Sequence, residues 1–261
     1  MPEGHTIHRL AREHNRLLAG HTVHASSPQG RFAEGAALLD GRTLERTDAY
    51  GKHLFHRYGD VWLHVHLGLY GRFTSGAMPA PEPRGALRLR LTADGHYADL
   101  RGPTACEVLL RPEVAAVRAR LGPDPLRRDA DPDLALARLS RSRVAIGALL
   151  MDQSVVAGIG NVYRAEILYR HGVEPHLPGR QLPRETWEAM WADLVTLMRA
   201  GVRAGRIVTT RPEDRPRGRV TRENAHYVYR RAGLPCRIDG TGIRTEVMVG
   251  RNLYWCPTCQ A

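Results

Sequence analysis

The feature that most constrains the fold is a change of hydrophobic period along the 261-residue chain. From about residue 21 to 110, apolar residues alternate in short runs broken by Gly, Pro and Asp. Such runs are His53–Tyr58, Val61–Leu67 and Leu87–Thr92, the last reading Leu-Arg-Leu-Arg-Leu-Thr. Period two places successive side chains on opposite faces and predicts strands. Beyond Asp133 the period becomes helical, with candidate helices at Leu134–Leu139, Val144–Asp152, Asn161–Arg170 and Arg184–Gly201. Between the two lies Leu121-Gly-Pro-Asp-Pro-Leu126 and a charged stretch, rich in turn formers. Ahead of the strands, Ile7, Leu10, Ala11, His14, Leu17 and Leu18 keep helical spacing up to Gly20. The pattern predicts an α+β chain of two domains: an N-terminal β-sandwich with a leading helix over 1–120, a linker over 121–133 and a helical domain over 134–225. A cysteine-rich end closes the chain over 226–261.

The formal net charge is +11. That surplus suits a polyanion, since neutralising phosphates releases counterions and supplies affinity without sequence preference. Of 38 basic residues, Lys52 is the only lysine. Arginine serves wherever positive charge alone is needed, but it does not readily deprotonate or act as an amine. A sole lysine therefore invites a chemical role, against the plainer reading of a lysine left by chance. Arginines also crowd residues 203–225 among Pro, Gly and Thr, which reads as an exposed basic loop. The longest apolar runs, such as Ala145–Met151, are too short to span a bilayer. Glu3, His5 and His8 interrupt any signal-peptide pattern. The expectation is a cytoplasmic, nucleoid-associated enzyme.

Pro2 permits removal of Met1, so the mature chain is expected to begin Pro-Glu. A terminal α-amine titrates near ~7.7–8.0 and a lysine near ~10.4, so roughly 10–15% of the former but only about 0.04% of the latter is unprotonated at pH 7. An exposed terminal amine is thus a better Schiff-base nucleophile than an unperturbed lysine. Glu3 beside it can supply a proton. Many unrelated chains begin this way, so the pair gains weight only from what accompanies it.

Two further clusters carry chemistry. In Met151–Ile167, one helix ends, Gly158-Ile-Gly160 turns, and a second helix begins near Asn161 and runs to His171. Glycines admit a ligand close to the backbone, and a helix N-terminus attracts anions. This predicts a phosphate-binding hairpin; a hairpin needing glycine only for packing is the plainer alternative. Cys106 stands alone, whereas Cys236, Cys256 and Cys259 crowd the end of the chain. Without a secretion signal they read as metal ligands rather than disulfides.

Together these segments resemble the formamidopyrimidine-DNA glycosylase/endonuclease VIII family over nearly the whole chain. The resemblance rests on Pro2-Glu3-Gly4, Tyr50-Gly51-Lys52-His53-Leu54, His66-Leu67-Gly68-Leu69-Tyr70-Gly71, Leu121–Leu126, the 151–167 hairpin and Gly250-Arg251-Asn252-Leu253-Tyr254-Trp255-Cys256. It implies a helix–two-turn–helix in the second domain, a β-hairpin zinc finger at the end and a bifunctional DNA glycosylase/AP lyase. Pro2 would attack C1′ and displace the damaged base. Glu3 would act as acid at the sugar ring oxygen. Lys52 would contact phosphate and assist catalysis. Asn161 would bind backbone phosphate, and Arg251 would grip the phosphates of the lesion through β,δ-elimination. Leu69 and Tyr70 align with the wedge that fills the hole left by an extruded nucleotide, although a β-turn with core side chains is the plainer alternative. Arg101 falls near an arginine held against the opposite strand. The resemblance further implies damaged DNA as partner, a monomer, and no diffusible cofactor.

Two departures from the family pattern matter. His5-Thr6 stands where a second Pro-Glu is usual, which argues against an 8-oxoguanine specialist. Gly4 and Leu69-Tyr70 resemble the endonuclease VIII side, which favours oxidised pyrimidines. The zinc-finger spacing is kept but one cysteine is aspartate: Cys236-x2-Asp239-x16-Cys256-x2-Cys259. A Cys3Asp site for one structural Zn²⁺ is feasible and should hold the ion less tightly than four thiolates. A water or His226 is the alternative fourth ligand. The rival readings are a DNA-binding module without turnover, and a glycosylase preferring abasic, single-stranded or crosslinked DNA.

Overall fold

The computed structural model describes residues 2–261, and the removal of Met1 expected from the sequence falls outside them. The chain forms two compact units, one ending at Arg120 and the other running from Leu121 to Ala261.

The first unit opens with α1 (Gly4–Leu18), followed by β1 (Thr22–Ser26), α2 (Ala33–Leu39), β2 (Arg42–Thr43), β3 (Arg46–Tyr50), β4 (His53–Tyr58) and β5 (Val61–His66). Then come β6 (Arg72–Ala77), β7 (Leu87–Ala93), β8 (His96–Arg101), β9 (Ala105–Leu110) and α3 (Arg111–Ala119). The strands form two antiparallel sheets ordered β2-β1-β7-β8-β6 and β3-β4-β5-β9. Leu89, Leu91, Ala98 and Leu100 of one sheet meet Leu54, Leu63 and Val65 of the other in a core closed by Ile7, Leu10 and Leu18 of α1. The period-two reading is clearest in β7, whose burial alternates residue by residue. β5 is instead buried on nearly every residue. The reason is α3, whose Val114 and Val117 cover Phe55 and Trp62 on the outer face of that sheet. Both α2 and α3 escape the sequence reading, because each is too short to show a helical period beside strands.

The second unit comprises α4 (Pro132–Leu139), α5 (Ile146–Leu149), α6 (Asn161–Arg170), α7 (Arg184–Ala204) and the antiparallel hairpin β10 (Arg244–Met248) and β11 (Arg251–Trp255). The expected helix over Val144–Asp152 shrinks to the single turn of α5. α6 is the hub: all its residues but Arg170 are buried. Tyr163, Ile167 and Leu168 face the helical core with Trp187, Leu194 and Met198 of α7, while Ala165 and Tyr169 face Tyr227, Cys236 and Cys256. α7 continues past its expected end and stops at Gly205, in the left-handed conformation that helix C-termini favour. Among the described residues, no helix is long and apolar enough to cross a membrane.

Candidate active site and nucleic-acid interface

In the first unit, Glu3 is the N-cap of α1, in extended conformation and fully buried. Its carbonyl accepts from the Thr6 amide at 2.9 Å, and the helix starts at Gly4, two residues past the half-buried Pro2. A carboxylate at this end of a helix faces the positive end of the macrodipole. α1 packs along β3 and β4. It is fixed there by a reciprocal pair in which Asn15 Nδ2 donates to the Thr47 carbonyl and the Thr47 amide donates to Asn15 Oδ1, both at 2.7 Å. A second tie is buried: His14 Nδ1 and His56 Nε2 lie 3.0 Å apart. Burial pushes His14 down to about 4, and burial together with His14 holds His56 well below the usual histidine range. Both rings are therefore neutral at pH 7.

Lys52 sits in the two-residue turn Gly51-Lys52 between β3 and β4, closed by the Tyr50–His53 pair. Gly51 takes φ +56°, which suits the first central position of a tight hairpin. Beside Lys52 lies a row of imidazoles that sequence reading did not single out. His53 Nδ1 is 2.8 Å from His64 Nε2, and His64 Nδ1 is 2.8 Å from Glu107 Oε1. Burial, then the charges of His64, His66, Arg120 and Lys52, push His53 down to about 3. Burial, His64 and Lys52 also lower His66. The charge of Lys52 thus acts on a hydrogen-bonded imidazole row.

Leu69 and Tyr70 lie in the turn from β5 to β6. Tyr70 is 87% exposed and Leu69 38%, whereas Leu67 beside them is the core residue at 1%. The turn is geometrically fixed: Gly68 has φ +65°, and a Cβ on it would meet Thr104 Oγ1 at 1.9 Å. Arg101 ends β8 and is held back on the sheet. Its Nη2 donates to Asp99 Oδ2 at 3.1 Å and its Nη1 to Thr74 Oγ1 at 3.3 Å. The buried Asp99 also accepts from Arg90 Nε at 2.7 Å and Nη2 at 2.8 Å.

In the second unit the turns before α6 are stapled by Gln153. Its Nε2 donates to the Met151 and Ile159 carbonyls and its Oε1 accepts from the Gly158 amide, each at 3.0 Å. Asn161, the first residue of α6, donates through Nδ2 to the Asn252 carbonyl at 2.9 Å. The fully buried Arg164, one turn on, donates through Nη2 to Asn161 Oδ1 and to the Asn252 carbonyl, and through Nη1 to the Gly147 and Met248 carbonyls. These bonds tie Asn161 to Asn252, the residue that follows Arg251 in β11. The β10–β11 turn has positive φ at both Val249 (53°) and Gly250 (65°), as tight hairpins require, and Val249 is a costly residue for that conformation.

Glu166, also fully buried, anchors the end of the basic loop to α6. Its Oε1 accepts from the Val228 and Tyr229 amides and its Oε2 from the Tyr227 amide, each at 2.8 Å, and Oε2 also accepts from Thr209 Oγ1. Arg164 and Glu166 lie within the hairpin string already singled out. No spacing rule in the sequence marks them as buried.

Cys236, Asp239, Cys256 and Cys259 place their ligand atoms within 4.8 Å of one another, a cluster that could hold a metal ion. Cys236 and Cys259 Sγ are 3.8 Å apart. Asp239 Oδ2 lies 3.4 Å from Cys256 Sγ and 3.2 Å from Cys259 Sγ. The Thr241 amide donates to Asp239 Oδ1 at 2.9 Å, orienting the carboxylate. Tyr169 of α6 places its hydroxyl 3.0 Å from Cys236 Sγ. His226, the alternative ligand, is not in the cluster.

Comparison with known proteins agrees with this layout. Residues 1–106 match the formamidopyrimidine-DNA glycosylase N-terminal domain, and residues 121–212 match the formamidopyrimidine-DNA glycosylase H2TH domain. Endonuclease 8 1 of Mycobacterium tuberculosis is 54% identical, with all of both chains covered. Formamidopyrimidine-DNA glycosylase of Thermus thermophilus is 32% identical, covering 100% of this chain and 98% of that protein. The crystal structure of MutM (Fpg) from Thermus thermophilus superposes with a TM-score of 0.80 at 29% identity, covering 99% of this chain and 98% of that one. Lactococcus lactis Fpg, crystallised with DNA containing an abasic site, shares the fold with a TM-score of 0.83 at 21% identity and 99% coverage of both chains. The fold and these matches define a DNA repair enzyme, a glycosylase/AP lyase with a β-sandwich and a helix–two-turn–helix domain. The chain belongs to the formamidopyrimidine-DNA glycosylase/endonuclease 8 family.

Proposed function

We propose that this enzyme excises oxidised pyrimidines from DNA and cuts the strand by β,δ-elimination, using the N-terminal amine of Pro2 once Met1 is removed. The observation that carries the reading is the fully buried Glu3 carboxylate, one residue from Pro2 at the start of α1. The 54% identity to Endonuclease 8 1, across the whole length of both chains, supports the pyrimidine preference. The unprotonated Pro2 nitrogen attacks C1′, and the C1′–base bond breaks with its electron pair leaving on the base. The Pro2 N–H proton passes to the departing base, and Glu3 in its carboxylic-acid form gives its proton to the ring oxygen as the sugar opens, leaving an iminium between Pro2 and C1′ and Glu3 as carboxylate. Loss of a C2′ proton then expels the 3′ phosphate, and δ-elimination expels the 5′ phosphate. Lys52 supplies positive charge and a proton at the phosphates. Asn161 and Arg251, joined through Asn252, hold backbone phosphate. The 87% exposure of Tyr70 suits a wedge that enters the stack and not a core side chain. Arg101, committed to Asp99 and Thr74, would reach the opposite strand with the donors those bonds leave.

The metal is zinc, one per chain, in a structural site of Cys236, Asp239, Cys256 and Cys259. A tetrahedral ion with Zn–S of about 2.3 Å and Zn–O of about 2.0 Å sets S···S near ~3.8 Å and S···O near ~3.5 Å. The Cys236–Cys259 and Asp239–Cys256 separations of 3.8 and 3.4 Å fit those edges. When bound, the ion ties the finger hairpin together and does no chemistry on the substrate. The enzyme acts as a monomer on nucleoid DNA in the cytoplasm.

The chain's single lysine makes the test clean. Borohydride reduction in the presence of DNA bearing an abasic site or an oxidised pyrimidine should fix the enzyme covalently. Proteolysis of the adduct should place the DNA on the N-terminal peptide. Attachment at Lys52, or trapping no better than Pro2→Gly, would overturn the assignment. A panel of oxidised purines and pyrimidines in single- and double-stranded DNA tests the base preference.

A further inference from the structure

Among the described residues, the hydroxyl of Tyr169 has only sulfur partners: Cys236 Sγ at 3.0 Å and Cys259 Sγ at 4.0 Å. The side chain is buried on the face of α6 that packs against Cys236 and Cys256. A phenylalanine would fill the same space, so the oxygen needs a separate reason. Buried tyrosine hydroxyls usually find a hydrogen-bond partner, and a neutral thiol is a weak one. A thiolate is a far better acceptor, because hydrogen bonds to charged groups are the strong ones.

The members of the metal cluster differ in what solvates them. Asp239 is exposed and Cys259 half-buried, so water reaches both, whereas Cys236 and Cys256 are buried. A buried sulfur deprotonated to bind a metal keeps part of its negative charge and needs a donor from the protein. Cys256 Sγ receives one, the Cys259 amide at 3.5 Å. Among the described residues no backbone amide donates to Cys236 Sγ, and the Tyr169 hydroxyl stands in that place. The direction of the bond follows from the chemistry. A metal-bound sulfur carries no proton, while a phenol titrating near ~10 keeps its own at pH 7, so Tyr169 donates. The ring is aimed without help from the hydroxyl: it stacks on Tyr227, with centroids 4.8 Å apart and planes 25° from parallel.

We propose that Tyr169 is a positioning residue of the metal site, whose hydroxyl donates to the Cys236 thiolate, fixes the direction of that sulfur and takes up part of its charge. The inference rests on the zinc reading above and goes beyond it, since Tyr169 is not itself a ligand. The ion's ligand set is then gripped from outside the finger, by the helix that begins at Asn161. Removing an outer partner of this kind typically changes metal affinity roughly 10–100-fold.

The test uses the full-length enzyme with zinc, and with cobalt(II) as a coloured substitute, comparing wild type with Tyr169→Phe and Tyr227→Phe. Tyr169→Phe keeps the stacked ring and removes only the donor. Tyr227→Phe removes a neighbouring hydroxyl that pairs with Asp214 and the Arg211 amide but with no sulfur. In competition with a chromophoric chelator, Tyr169→Phe should hold zinc roughly tenfold more weakly than wild type, and Tyr227→Phe as tightly. In the cobalt form, the sulfur-to-metal charge-transfer band of Tyr169→Phe should move to longer wavelength, because a thiolate without its hydrogen bond gives up an electron more easily. A hydroxyl with a merely structural role would not move that band. An unmoved band, or an equal affinity loss in Tyr227→Phe, overturns the proposal. Wild type that binds neither metal overturns the zinc reading and the proposal with it, a result distinct from both.

Discussion

Asn161 Nδ2 donates to the Asn252 carbonyl across 91 residues of chain, at 2.9 Å, so the first turn of α6 and the β10–β11 hairpin are one structural piece. Arg164 reinforces the joint from beneath, bonded to both residues. The proposed phosphate ligands Asn161 and Arg251 thus share one support. Asn161→Ala removes the bond and leaves Arg164 and Asn252 short of a partner, at a cost of about 1–3 kcal/mol. It should both weaken DNA binding and lower the melting temperature. Arg251→Ala should weaken binding at unchanged melting temperature. A binding loss in Asn161→Ala with no thermal effect would mean that the joint is not structural.

The wedge assignment separates two activities. Tyr70→Ala should slow base removal from paired duplex roughly tenfold, because nothing then offsets the stacking lost on flipping. Strand cleavage at an abasic site in single-stranded DNA, where no stack need be opened, should be unchanged. Single-turnover rates on the two substrates check this, and an equal loss on both would remove Tyr70 from the wedge.

Metal retention follows from the donor set. A carboxylate among three thiolates is the harder and weaker ligand for zinc. Asp239→Cys should therefore release zinc to a chelator more slowly than wild type, and Asp239→Ala faster. Because the ligands bind only when deprotonated, release from all three should quicken as pH falls. Colorimetric zinc release under chelator challenge measures the order. Indistinguishable rates would remove Asp239 from the ligand set.

The His14–His56 pair gives the first unit a pH signature. Both groups titrate lower when folded than the 6.5 expected of an unfolded histidine, with His14 at about 4. Below pH 6.5 the unfolded chain therefore binds protons that the folded one refuses. Stability is complete above pH 6.5 and declines as pH falls from there toward 4, by up to about 1.4 kcal/mol per pH unit for each histidine. Urea denaturation at pH 7, 6 and 5 should show this decline, and His14→Leu/His56→Leu should make it shallower, the remainder coming from His53 and His66. A wild-type midpoint constant over that range would contradict the buried neutral pair.

Local pattern was enough to separate the strand half from the helical half, because side-chain period is set by each element's own geometry. It also picked out Pro2, Glu3, Lys52 and the 151–161 turns, where residue type alone limits the chemistry or the backbone. The three clustered cysteines were legible for the same reason, whereas Asp239 entered only through the resemblance to the family's finger spacing. Tertiary structure decided what those residues rest on. No spacing rule marks Arg164 and Glu166, yet both are fully buried in α6 and bind backbone more than eighty and sixty residues away. The His53–His64–Glu107 chain, the His14–His56 pair and the Tyr169 hydroxyl on Cys236 arise from contacts between distant segments. No sequence period reports such contacts, because burial and partnership are properties of the packed chain and not of any segment in it.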